Sequence, residues 1–127
     1  MMKITLFSFG FKHGGPAADM VLDVRFLPNP YWVPELKEHT GLEEPVAAYI
    51  LESAAGREFL DRLHSFLVFM LDKHRQAGRE EFACAIGCTG GRHRSVAVTE
   101  HLRQALAAPP HSDEQQWTVF HRDIDKQ

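Results

Sequence analysis

From Phe82 to Leu106 the chain runs through a short apolar stretch, FACAI, then GCTGGRHRS, then a segment in which Val98, Leu102, Ala105 and Leu106 share one helical face. An apolar run bounded by glycine reads as an interior strand, and the later periodicity predicts a helix that Pro109-Pro110 brings to a stop. A strand that hands a glycine loop to a helix confines the fold to the α/β classes. The remaining segments agree with that class. Residues 3–9 are β-branched and aromatic and predict a strand that delivers the glycine-rich loop 10–16. Residues 20–26 are nearly continuously apolar, which suits a strand in a sheet covered on both faces, with Asp23 and Arg25 interrupting it. Residues 27–34 carry Pro28, Pro30 and Pro34 and predict an ordered aromatic loop, neither helix nor central strand. A short helix is expected over about 43–53, with Pro45 in its first turn. Phe59, Leu60, Leu63, Phe66, Leu67, Met70 and Leu71 predict a long amphipathic helix over 57–77, capped by Gly78. Residues 115–120 read as a last strand before a polar tail. The expectation is a single three-layer α/β domain over 1–127, with a small, mostly parallel sheet of about four strands. Its ligand belongs at the carboxyl ends of the strands, where loops 10–16 and 87–95 meet.

A length of 127 residues with 44% hydrophobic character fits one globular domain. Its 14 Lys and Arg against 17 Asp and Glu leave a net charge of −3, so any polyanion must be held locally. Eight histidines make that balance depend on pH. Cys84 and Cys88 are four apart on a strand running into a loop, a poor frame for a disulfide, and a reducing compartment fits better. With no apolar stretch near the ~20 residues of a membrane span, the reading is a soluble cytoplasmic protein with no membrane contact. No paired His and Cys spacing of the zinc-site kind occurs, so neither metal nor cofactor is expected.

The loop from Gly87 to Ser95 carries the chemistry. Its glycines let the backbone approach a ligand and turn N–H groups into one concavity, and the following helix adds partial positive charge at its first turn. Arg92 and Arg94 supply forked, charge-assisted donors, and Thr89 or Ser95 a hydroxyl. That combination binds phosphate. It is neither Gly-x4-Gly-Lys-[Ser/Thr] nor Gly-x-Gly-x-x-Gly, so a nucleotide loop of either kind is excluded. His13, beside Lys12 in an open loop, reads as a ligand contact, and His93 divides between solvent and binding roles. Asp23 and Arg25 lie on one strand face, where they bond each other or reach the pocket. Tyr31 and Trp32 serve as a hydrophobic plug or a stacking surface. The interval from Cys88 to Arg94-Ser95 is also the Cys-x5-Arg-Ser spacing of cysteine-dependent phosphatases, which makes Cys88 an alternative nucleophile with Asp23 or His13 as acid. Gly87 stands where those enzymes usually place His. Phe66, Phe69 and Met70 exceed one helix face and read as core or a subunit interface.

The strings FSFGFKHGGPAAD, VLDVRFLPNPYW, TGLEEPVAAYI and AIGCTGGRHRSVAV, followed by HRDIDK, closely resemble the C-terminal domain of the bacterial RNase adaptor family RapZ. The resemblance runs in order over nearly the whole chain. It implies a small α/β domain that senses glucosamine-6-phosphate as a sensor or adaptor rather than an enzyme, self-associates, and takes part in small-RNA binding. Carried residue by residue, the family's pocket falls on His13, Thr89, Gly90 and Arg94, with Gly91 in the same loop and Lys12, Asp23, Arg92, His93 and Ser95 as secondary positions. Its N-terminal nucleotide-binding half has no counterpart here. The closing residues 122–127 hold two bases against two acids in place of the basic tail of enterobacterial members. RNA affinity would then need Arg92, Arg94 and Arg103 on one face.

Overall fold

The computed structural model describes residues 2–107 and 115–127. Four strands, β1 (Met2–Gly10), β2 (Met20–Asp23), β3 (Glu81–Cys88) and β4 (Gln115–His121), form one sheet in the order β2-β3-β1-β4. All three pairings are parallel, so the α/β class and the four strands stand as expected. The helices are α1 (Pro34–Lys37), α2 (Glu44–Leu51), α3 (Ala54–Gln76) and α4 (Arg94–Leu106). The Pro109-Pro110 stop falls outside the described residues.

Pleating sorts the side chains. Ile4 and Leu6 of β1 and Phe82, Cys84 and Ile86 of β3 point to one side, where they meet Val46 and Ile50 of α2, Leu63 and Leu67 of α3, and Val98 and Leu102 of α4. Phe7, Phe9 and Ala85 face the other side in a small second cluster with Phe11 and Ala18. Phe120 stacks on Phe7 there, ring centroids 4.9 Å apart, and is 43% exposed.

This corrects the expected three layers: among the described residues the α-helices pack on one face only. Connection handedness explains it. The crossovers β2 to β3 and β3 to β4 advance in the same direction across the sheet, and right-handed crossovers in one direction place their helices on one face. The opposite crossover, β1 to β2, holds only a 3-10 turn at Phe11–His13.

Two local expectations also change. β2 ends at Asp23, not 26, because the Asp23 side chain turns back to accept from the Arg25 backbone N–H and guanidinium. Residues 27–34 are not wholly loop, since a 3-10 turn spans Pro30–Trp32 and Pro34 opens α1. Both prolines occupy a first helical position, where the missing N–H costs nothing. The long helix starts a few residues earlier than expected because the Ser53 hydroxyl accepts from the Gly56 N–H at 3.0 Å. Gly78 takes φ +81° just beyond its end, as its cap position requires.

Gly10 and Cys88, the last residues of β1 and β3, are register partners at the carboxyl edge. From there the chain departs in opposite directions, toward β2 and toward β4. Such a switch point opens the crevice where α/β sheets bind ligands.

Candidate functional site

The two loops that leave this edge are tied together, the Lys12 N–H donating to Thr89 O at 3.1 Å. Gly91 has φ +79°, and a Cβ there would lie 2.6 Å from Gly10 N. Only glycine lets the second loop fold back onto the end of β1 so closely. Gly41 N–H takes the Arg92 carbonyl at 2.8 Å, turning that side of the loop inward. The Gly90 and Gly91 amides make no hydrogen bond among the described residues.

A cavity of about 560 Å³ lies over this loop. Cys88, Thr89, Gly90, Arg92, His93 and Arg94 line it from below, and Lys12 from the neighbouring loop. Segment 29–38 forms the opposite wall with Asn29, Tyr31, Trp32, Lys37 and Glu38, and Gln127 closes one side. Lys12, Lys37, Arg92 and Arg94 against Glu38 make the lining cationic. In a partly enclosed space that excess is screened less than on an open surface.

Arg94 is 6% exposed, and its Nη1 donates to Arg25 O at 2.6 Å. Nη2 reaches Thr89 Oγ1 at 3.4 Å, and Nε is buried without a partner. Behind the loop, Cys88 Sγ and Ser95 Oγ are 3.0 Å apart, both residues buried. His93 Nε2 lies 3.0 Å from Lys37 O and joins the glycine loop to α1. Burial, aided by the charges of Arg92 and Arg94, lowers the His93 pKa from its ordinary 6.5. We expect an NMR titration of His93 to show a midpoint below 6.5, and a midpoint at or above it would refute this. A histidine whose folded pKa is depressed contributes its full stability above the unfolded value and loses it as pH falls toward the folded one. The domain therefore weakens below about pH 6.5 through this residue.

Of the residues expected from sequence, Lys12, Thr89, Gly90, Arg92, His93 and Arg94 share the cavity. Four lie outside the lining. Gly91 packs back on Gly10 and Asp123. Ser95 sits behind Cys88. Asp23 is paired with Arg25 at 2.6 Å, whose hydrogen bond holds its carboxyl below the ordinary range. His13 ends the 3-10 turn with Nε2 buried and unpartnered among the described residues.

Sequence reasoning missed the brace made by the end of the chain. Asp123, 0% exposed, accepts from Gly10 N–H at 2.7 Å, from the Arg122 guanidinium and from Lys126 Nζ at 2.6 Å. Arg122 Nη2 donates to Gly14 O and Arg92 Nε to Ile124 O. Residues 121–127, expected as a polar tail, thus hold both the 10–16 and the 87–95 loop. The available signal was Asp123 with Arg122 beside it and Lys126 three residues on.

Among known proteins, the chain is 47% identical over 127 residues to a nucleotide-binding protein of Mycobacteroides abscessus, which covers 99% of this chain and 41% of that protein. It is 55% identical over 106 residues to one from Nitratidesulfovibrio vulgaris, covering 83% of this chain and 36% of the relative. A third, from Streptomyces coelicolor, is 46% identical over 127 residues, 99% of this chain and 41% of the relative. The chain therefore spans about two fifths of the length of these relatives. Its residues 2–125 match the RapZ C-terminal domain profile, and the chain belongs to that family.

Proposed function

We propose that this domain binds a phosphorylated aminosugar in the cavity over the glycine loop and acts as a sensor whose occupancy is read by a partner. One observation carries the reading: Lys12, Arg92 and Arg94 line one cavity together with Gly90, whose amide makes no hydrogen bond among the described residues, in the loop that leads to the His93 N-cap of α4. A phosphate there would accept from that amide, the Thr89 hydroxyl and Arg94 Nη2. The opposite wall supports the sugar half, with Trp32, 76% exposed, as a stacking surface and Asn29 and Glu38 as polar partners for its hydroxyls and amine. Occupancy reaches a partner only through a difference in ligand affinity between two conformations.

Calorimetric titration with glucosamine-6-phosphate, its N-acetyl form, inorganic phosphate and GTP tests this. The aminosugar phosphate is expected to bind at least ~10-fold more tightly than phosphate or the N-acetyl form, since a charge-assisted contact contributes about 1.5–3 kcal/mol. Thr89→Val is expected to weaken it by about 5-fold, the effect of one ordinary hydrogen bond. No heat from either sugar phosphate, or preferential binding of GTP, would refute the assignment.

For the output, Arg94 is buried, Arg103 pairs with Glu100 at 3.3 Å and Arg92 bonds Ile124 O, so these arginines are not gathered as an open basic face. We therefore favour self-association over RNA, through Phe66 and Phe69 of α3, 48% and 54% exposed. Light scattering that gives a monomer mass, or an RNA gel shift that persists as salt is raised, would reverse this preference.

A further inference from the structure

We infer that the site also turns over a phosphate monoester, with Cys88 as its nucleophile. The inference rests on the reading of the glycine loop as a phosphate cradle.

Residues 88–95 read Cys-x-x-Gly-x-x-Arg-Ser, and the folded loop gives each fixed position a job. Cys88 ends β3 and lines the cavity. Ser95, in the first turn of α4, places its Oγ 3.0 Å from Sγ, within hydrogen-bond reach. Thr99 fixes Ser95 in turn, its hydroxyl donating to Ser95 O at 2.7 Å. Gly91 supplies the positive-φ bend that folds the loop back onto the end of β1. Reactive thiols occur near guanidinium groups and helix N-termini, and Cys88 shares its cavity with Arg94 and touches Ser95 of the first turn of α4.

Arg94 is a second, independent observation. It is 6% exposed and lines the cavity, and its Nη2 has only a long 3.4 Å contact to Thr89 Oγ1, a position that a phosphate oxygen can take over with a shorter, charge-assisted bond. Gly87, in place of the usual His of cysteine phosphatases, also has a reason. A Cβ there would lie 2.4 Å from the Phe9 ring, so that space is filled and Ser95 orients the sulfur instead.

The general acid differs from the residues expected from sequence. Asp23 is locked to Arg25 and His13 is outside the lining, whereas Glu38 is the carboxylate-bearing side chain among the residues that line the cavity with Cys88. In the first step the Cys88 thiolate attacks phosphorus and an S–P bond forms. The ester P–O bond breaks, its electron pair leaves on the alcohol oxygen, and Glu38 donates that oxygen a proton. In the second step water attacks phosphorus and gives its proton to the Glu38 carboxylate. The S–P bond breaks, the thiolate returns and inorganic phosphate departs. Monoester and water become alcohol and phosphate, with no oxidant or further reactant.

The test uses the full chain, with p-nitrophenyl phosphate turnover and calorimetry of inorganic phosphate measured on each variant in parallel. Expected are turnover by wild type, its loss by ~100-fold or more in Cys88→Ser with phosphate binding kept, and a ~100-fold loss in Glu38→Gln, the usual scale for one acid or base. Cys84→Ala is the control, since Cys84 lies in the core away from the cavity and burial pushes its thiol up to about 12. It should retain turnover within a few fold. Acid-quenched wild type should carry phosphate on the peptide containing Cys88. Phosphate binding without turnover overturns the nucleophile and leaves the binding reading intact. Neither binding nor turnover overturns both, and turnover unchanged in Cys88→Ser overturns the assignment outright.

Discussion

Gly91→Ala is expected to melt about 12 °C below wild type and to lose measurable phosphate binding, taking ~3 kcal/mol at ~4 °C per kcal/mol for a domain of this size. Two costs combine. At φ +79° an L side chain is strained by about 1–2 kcal/mol. The added Cβ also meets Gly10 N at 2.6 Å, Phe9 C at 2.8 Å and Asp123 Cβ at 3.0 Å. The first two are backbone atoms of the central strand and cannot swing aside, so the loop must lift. Overpacking of that kind adds roughly 1–3 kcal/mol. Lifting the loop withdraws the Gly90 amide and Thr89 from Arg94, which is why binding and stability should fall together. Gly90→Ala is the informative comparison. A Cβ at Gly90 meets only the end of Lys12, Cε at 3.7 Å, so its stability should stay within about 0.5 kcal/mol of wild type. Differential scanning calorimetry of both variants decides the matter: a Gly91→Ala melting point within 2 °C of wild type would mean the loop has another way to close.

The contrast between these adjacent glycines shows where sequence stops informing. That residues 87–95 form a glycine loop between a strand and a helix was legible, because glycine spacing and the elements on either side are local properties. Which glycine packs against the sheet and which stays open was not, since that depends on Gly10 and Asp123, far away in the sequence. The opposite wall was hidden for a similar reason. Three prolines in residues 27–34 predict no helix there, yet Pro30 and Pro34 each start a turn, and those turns carry Tyr31, Trp32 and Glu38 to the cavity. The stripe Leu60, Leu63, Leu67 and Leu71 was readable as core from its spacing and is buried. The face of the sheet it covers was not readable, because continuous apolar strands look alike whether helices lie on one side or two. Residues 121–127 show the largest gap: a short polar segment has no periodicity to announce it, and its role comes entirely from contacts across the fold.

Asp123 is the residue of that segment whose loss should cost most. Its carboxylate is fully buried and satisfies Gly10 N–H, Arg122 and Lys126 together, so Asp123→Ala leaves the Gly10 N–H and Lys126 without this acceptor and Arg122 with Gly14 O. Both cations remain partly exposed to water, so the cost falls mainly on the buried donor and the lost charge-assisted bonds, about 1–3 kcal/mol of the ~5–15 kcal/mol that holds a domain folded. Ligand affinity should fall as well, by an expected ~10-fold. The same brace fixes Gly10 directly and, through Arg122 and Arg92, both loops. Asp123→Asn separates the contributions, keeping an oxygen for Gly10 N–H while giving up the charge. The pH dependence identifies the charge. Burial alone would raise the Asp123 carboxyl, but the bonds from Arg122, Gly10 and Lys126 outweigh it and hold the group well below the usual carboxylate range. A depressed carboxyl gives its full stability above the unfolded value, here 3.8, and loses it as pH falls toward the lower folded value. The stability gap between wild type and Asp123→Asn should therefore be constant from about pH 5 to pH 8 and smaller by about 1 kcal/mol at pH 3. Urea unfolding at pH 7 and pH 3 measures it. An equal gap at both would show that Asp123 acts by shape and hydrogen bonding alone, and that its charge contributes nothing to holding the loops.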